Sequence, residues 1–189
     1  TAIAAPANIA KAFQRDSGLP KLLKEVIIMG GAINVSGNKN KVAEFNMYVD
    51  PKAAEIVFQA NVKKILIPLD VCNKAVIMLK DFEKLKDSSL YEPIMAMMKH
   101  YILEIKKQEG LKGAVVYDAL AAYYLLSPQS FTLESMDIAI ETEGKHTRGM
   151  TVIERRLSKE KQHNVSVAMD VDRKKFVSDF ISIISSARI

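Results

Sequence analysis

The sequence predicts an α/β fold, a mostly parallel Rossmann-like sheet flanked by helices, as a single domain over residues 1–189. Three observations point to it. Short apolar stretches of strand length alternate with longer stretches of helical periodicity. The clearest strand, Val26-Ile27-Ile28-Met29, is apolar at every position, as strands buried in a parallel sheet are. A chain of 189 residues with 49% hydrophobic and 26% charged residues has the size and composition of one domain with a real core.

Each element follows from local chemistry. Residues 3–5 read as a short strand and residues 8–15 as a helix capped by Asn8. After the Ser17-Gly18 break, residues 19–24 read as a short helix with Pro20 in its first turn. The strand 26–29 follows. Asp50-Pro51 opens a helix running to Gln59, with Asp50 as cap and Pro51 at the first helical position. Residues 64–69 read as a third strand. Residues 75–82 form a helix, and residues 91–109 a longer one in which Ile94, Met97, Met98, Tyr101, Ile102 and Ile105 recur at helical spacing and fill core. Gly110 stops that helix. Residues 115–126 are helical until Pro128, residues 135–141 and 165–169 read as strands, and residues 176–185 form a final amphipathic helix.

The formal charge of +5 is spread among carboxylates, in small clusters such as Lys63-Lys64, Arg155-Arg156 and Arg173-Lys174-Lys175. The aromatics do not interleave with them, so a solvated face accounts for the charge better than nucleic-acid binding. Cys72 stands alone, which excludes an internal disulfide framework and fits a reducing, cytoplasmic setting. Asn34-Val35-Ser36 and Asn164-Val165-Ser166 are glycosylation acceptors only in a secreted protein. No apolar run of about 18 residues predicts a membrane span, and no signal peptide is read at the start. The chain opens at Thr1 in a strand-like stretch, which predicts a processed chain, a fragment or one piece of a larger fold.

Residues 29–51 stand out. Directly after the apolar strand they gather glycines, asparagines, Glu44 and an Asp-Pro step. Amide and carboxylate groups together suit a polyol, because between them they donate to and accept from hydroxyls. The segment also lies beyond the carboxyl end of a strand, where ligands of such sheets bind.

Five segments of the chain resemble the inosine/uridine-preferring nucleoside hydrolases. They are Pro6-Ala7-Asn8-Ile9-Ala10, the strand end 26–31, Gly37-Asn38 with Ala43-Glu44-Phe45-Asn46 and Asp50-Pro51-Lys52-Ala53-Ala54, Pro68-Leu69-Asp70-Val71, and Tyr117-Asp118-Ala119-Leu120-Ala121. A weaker likeness runs through residues 147–151 and 164–172. The Glu-Phe-Asn…Asp-Pro block is the specific part. The likeness implies a partial nucleoside hydrolase fold, the C-terminal portion of such a domain, acting in nucleoside salvage and purine metabolism.

The resemblance implies hydrolysis of the N-glycosidic bond of ribonucleosides to ribose and free base, through a transition state with oxocarbenium character at the ribose. Asn38, Glu44 and Asn46 would hold ribose hydroxyls, with Phe45 and Met29 as pocket neighbours. A calcium ion (Ca2+) would be held by Asp118 and the backbone carbonyl of Ala7, since calcium takes oxygen ligands. A plain helix N-cap is the other reading of Asp118, and a capped turn the other reading of Glu44 and Asn46. Family members are dimers or tetramers, so a homo-oligomer is expected.

Two departures matter. Tyr117 stands where many members carry a histidine that protonates the leaving base, and a phenol with an ordinary pKa of about 10 is a poorer acid; it remains a leaving-group contact. Ala119 replaces a proline. His100, His146 and His163 read as surface residues. The family's N-terminal aspartate cluster, which supplies most calcium carboxylates and the general base, is not in these residues. The leading expectation is therefore a hydrolase half-site completed by an N-terminal fragment or separate chain. The alternatives are a non-catalytic structural or interaction subunit and, on net charge alone, a nucleotide- or RNA-binding module.

Overall fold

The computed structural model describes residues 1–2, 4–156 and 164–187. Its main sheet has four strands: β1 (Val26–Met29), β2 (Lys64–Ile67), β3 (Phe131–Met136) and, after a separate hairpin of β4 (Ile138–Ile140) and β5 (Thr151–Ile153), β6 (Val165–Val171). Their spatial order is β1-β2-β6-β3, with β1, β2 and β6 parallel and β3 antiparallel at the edge. The mostly parallel α/β sheet is thus present. Ala2 makes a parallel bridge to Ile28 on the free side of β1. Of the strand expected at residues 3–5, Ile3 lies outside the described residues and Ala4 sits in a bend.

Alternation along the strands builds two apolar layers, because successive side chains point to opposite faces. Ile27, Met29, Ile65 and Ile67 enter one layer, with Phe82, Leu120, Tyr124 and Phe176. Val26, Ile28, Leu66 and Val167 enter the other, with Phe13, Ala54, Val57 and Phe58. The first layer is covered by α5 (Leu69–Cys72), α6 (Leu79–Phe82), α7 (Tyr91–Glu109), α8 (Tyr117–Leu126) and α9 (Arg173–Ser186). The second is covered by α1 (Ala7–Arg15), α4 (Pro51–Gln59) and the β4–β5 hairpin; α2 (Leu19–Leu22) and α3 (Phe45–Val49) complete the set. Among the described residues no helix is long and apolar enough to cross a membrane.

Several expectations hold to the residue. Asp50 caps α4 through Ala53 N at 3.0 Å, with Pro51 first in the helix. The 19-residue α7 ends at Gly110, whose φ of +73° is the left-handed stop that glycine adopts without strain.

Others need correction. Helix α1 begins at Ala7, and Asn8 lies inside it with no side-chain cap. Strand β2 stops at Ile67, because Pro68 has no N–H for the ladder and its neighbours turn into α5. Val115 and Val116 precede α8 rather than belong to it. The single strand expected over 135–141 is two, broken at Asp137: β3 pairs with β6 and β4 with β5. Within α7, Met95 and Ile105 are the buried residues, whereas Met97 points outward at 59% exposure.

At the start of β2 a lysine is swallowed by the fold. Lys64 is 4% exposed, and its ammonium donates to the carbonyls of Ala60 at 2.6 Å and Val62 at 3.1 Å. Burial pulls its pKa below the ordinary lysine value.

Candidate active site

At the carboxyl end of β1 the chain does not run straight into a helix. Gly30 and Gly31 turn it, and Asp70 at the start of α5 catches it: its carboxylate accepts the backbone N–H of Ile33 and of Asn34, each at 2.8 Å. The guanidinium of Arg155, beyond β5, donates to Ile33 O at 3.1 Å and Asn34 Oδ1 at 2.9 Å. Ala43 then bridges to Met150 beside β5. The polar loop is thereby fastened to both small elements flanking the sheet.

Glu44 ends the loop as the N-cap of α3. Its Oε2 accepts from Gly31 N at 3.2 Å, Asn46 N at 2.9 Å and Met47 N at 3.2 Å, whereas Oε1 accepts only from Asn46 N at 2.9 Å. Burial pushes the carboxyl above the ordinary range, the three N–H groups pull it back, and the charge of Asp118 adds to the rise. Asn46, 8% exposed, donates Nδ2 to Met29 O at 3.2 Å, and its Oδ1 has no partner among the described residues. Asn38 accepts the backbone N–H of Phe45 at 3.0 Å through Oδ1, which leaves its Nδ2 free to donate.

These groups converge on one cavity of about 510 Å³ lined by Met29, Asn38, Glu44, Phe45 and Asn46 on one side and by residues 115–119 on the other. The three residues expected to hold ribose hydroxyls and their two expected pocket neighbours all line it, with Tyr117 and Asp118. Ala7 is not: it opens α1 and packs against the second apolar layer. His100 and His146 are exposed as expected, and His163 lies outside the described residues.

Asp118 is in the first turn of α8, but Val116 holds the cap position and Asp118 caps nothing. Its carboxylate has no partner among the described residues, and desolvation at the cavity wall raises its pKa. Glu44, by contrast, is a helix cap and a cavity wall at once. Tyr117 donates its hydroxyl to the carboxylate of Glu109 at 3.2 and 3.3 Å. Desolvation, then the Glu109 charge, raise the phenol above its ordinary value, which makes Tyr117 a weaker acid than a free phenol.

Sequence reasoning missed Glu109, whose only signal is its place before Gly110. It also missed the apolar wall Val115, Val116 and Ala119, and the clamp made by Asp70, which was visible as a motif but not as a role.

The described residues contain no group of three or more His, Cys, Asp or Glu able to hold a metal ion. Calcium needs six to eight oxygens. Asp118 offers one free carboxylate and Glu44's is tied to backbone, so these residues alone do not fit the ion.

The sequence profile of "Inosine-uridine preferring nucleoside hydrolase" matches residues 1–178. The pyrimidine-specific ribonucleoside hydrolase RihA of Shigella boydii is 38% identical over 173 residues, 90% of this chain and 55% of that protein. RihA of Citrobacter koseri is 37% identical over the same lengths. The purine-preferring ribonucleoside hydrolase from Gardnerella vaginalis superposes with a TM-score of 0.85 at 27% identity, covering 96% of this chain and 58% of that one. A plant nucleoside hydrolase superposes at 0.87 and 23% identity, over 98% and 61%, a likeness of fold alone. The chain spans about half the length of the curated relatives it matches. With that profile running over nearly its whole length, the chain belongs to the inosine-uridine preferring nucleoside hydrolase family.

Proposed function

We propose that this chain forms the ribose-binding part of a ribonucleoside hydrolase, an enzyme that cleaves the N-glycosidic bond to give ribose and free base. One observation carries the reading: Asn38, Glu44 and Asn46 face Asp118 and Tyr117, some 70 residues further on, across a single cavity. The free valences there match a sugar. Asn46 Oδ1 and Glu44 Oε1 accept from hydroxyls, and Asn38 Nδ2 donates to one.

In the reaction the C1′–N bond breaks, water oxygen bonds to C1′, water loses one proton and the departing base gains one. The cationic ribose of the transition state would be favoured by the carboxyl oxygens of Glu44 and Asp118 beside it. A calcium ion, when bound, would bind sugar hydroxyls and water. Asp118 would contribute to its ligands, with the other oxygens and the general base coming from outside these 189 residues. The curated relatives named above are pyrimidine-specific, so uridine and cytidine are the first substrates to test, with inosine beside them.

The test is base release from uridine, cytidine and inosine, with added calcium and then with chelator, for the chain alone and mixed with a segment carrying the family's aspartate cluster. Release that needs that segment and stops with chelator is the expected result. No release under any of these conditions overturns the proposal.

A further inference from the structure

We propose that Glu109 is a positioning residue for base recognition: by taking the hydroxyl proton of Tyr117 in a hydrogen bond, it presents the phenol oxygen as an acceptor for an N–H on the edge of a nucleobase. The inference rests on the nucleoside reading of the cavity given above.

Tyr117 lines the sugar cavity, and its hydroxyl is shared between the two carboxylate oxygens of Glu109 at 3.2 and 3.3 Å. Glu109 lines a neighbouring cavity of about 390 Å³, with Asn38 common to both, so the Tyr117–Glu109 pair stands where the two adjoin. Among the described residues no cation pairs with Glu109, and the phenol is its hydrogen-bond partner. A phenol has one proton to give and lone pairs to receive with. With the proton engaged by a carboxylate, only acceptor capacity remains toward the cavity.

Beside Tyr117 on the same wall, Val115, Val116 and Ala119 present apolar side chains, which suit the face of a flat ring without reading its edge. Edge selection therefore falls to the pair. The ligand class is a nucleobase bearing an N–H on the side facing Tyr117, such as the imide of uracil. A base presenting only acceptors there would set lone pair against lone pair.

The test titrates the 15N-labelled chain with uracil, 3-methyluracil and ribose, and follows backbone amide shifts. Uracil is expected to bind about tenfold more tightly than 3-methyluracil, the worth of one hydrogen bond to a polarised acceptor. The ratio falls to near one in Tyr117→Phe and in Glu109→Ala. It persists in Glu109→Gln, whose amide oxygen still accepts from the phenol. Ribose affinity stays constant in Glu109→Ala and Glu109→Gln, and the same spectra show that all four chains are folded. Equal binding of the two bases to the unaltered chain overturns the inference. So does a ratio that survives Tyr117→Phe, since methyl bulk alone would then explain it, and so does ribose binding with no base binding. Failure of ribose to bind the unaltered chain overturns the sugar-site reading, and this inference with it.

Discussion

Oε2 of Glu44 lies 3.2 Å from the backbone nitrogen of Gly31, so a single carboxylate caps helix α3 and holds the turn at the end of strand β1. The residue that caps the helix is also one that lines the cavity, and its two oxygens divide the hydrogen bonds unequally. Three N–H groups meet on Oε2, and the capacity left on Oε1 is what a sugar hydroxyl can use.

Glu44→Gln keeps the shape and loses the charge, and one amide end turns a donor toward backbone donors. A loss of about 1–3 kcal/mol in chemical denaturation is expected. The pH dependence has a definite sign. The folded-state pKa of Glu44 is raised, so its contribution is full below the ordinary carboxylate value and is lost as pH rises through the raised one. The stability gap between the original chain and the variant should narrow from about pH 4.5 to pH 7. A gap that widens over that range contradicts this account.

Asp70→Ala removes the acceptor for two backbone N–H groups, the buried one of Ile33 and the part-buried one of Asn34. A cost of about 2–4 kcal/mol is expected, together with faster amide hydrogen exchange confined first to residues 31–43. Unchanged exchange there would show that Arg155 and the Ala43–Met150 bridge hold the loop without it.

Asn46→Ala leaves Met29 O without its side-chain donor and removes one free acceptor from the cavity. The expected stability loss is about 1 kcal/mol, and ribose affinity should fall about tenfold, measured by calorimetry. A variant that loses stability but binds ribose as before would assign Asn46 to structure alone.

Two glycine substitutions separate steric from conformational cost. A Cβ at Gly37 would overlap the backbone of Ala43, which cannot move without breaking the loop. Gly37→Ala should cost about 2 kcal/mol or more. At Gly110 a Cβ meets nothing within 4 Å, and only the φ of +73° is unfavourable. Gly110→Ala should cost about 1 kcal/mol. Thermal melts of the two variants are enough to rank them.

Where a local signal was strong, the sequence was readable. The Asp50-Pro51 step and Gly110 each declare an end of a helix chemically, and the structure places both ends there. The polar loop was readable as a cavity wall because amide and carboxylate groups crowd into it. Helix α3 was not readable: at five residues it is too short for a period, and it exists because Glu44 caps it and Met47 is buried. The break at Asp137 was hidden because β3 and β4 form one nearly continuous stretch whose partners are far apart in the chain. Ala7 was placed by motif beside Asp118, and only three-dimensional packing shows that it does not line the cavity. The Tyr117–Glu109 pair depends on the chain reversing after Gly110, which composition does not reveal.

The swallowed lysine offers a reporter that needs no mutation. Lys63 and Lys64 are neighbours, yet the first reaches solvent with Glu25 at 2.8 Å while the second is closed off behind two carbonyls. An amine-reactive label should mark Lys63 promptly and leave Lys64 untouched while β2 stays in register. The rate at which Lys64 becomes labelled would then clock the opening of the central strands, read by mass spectrometry from one peptide carrying its own internal control.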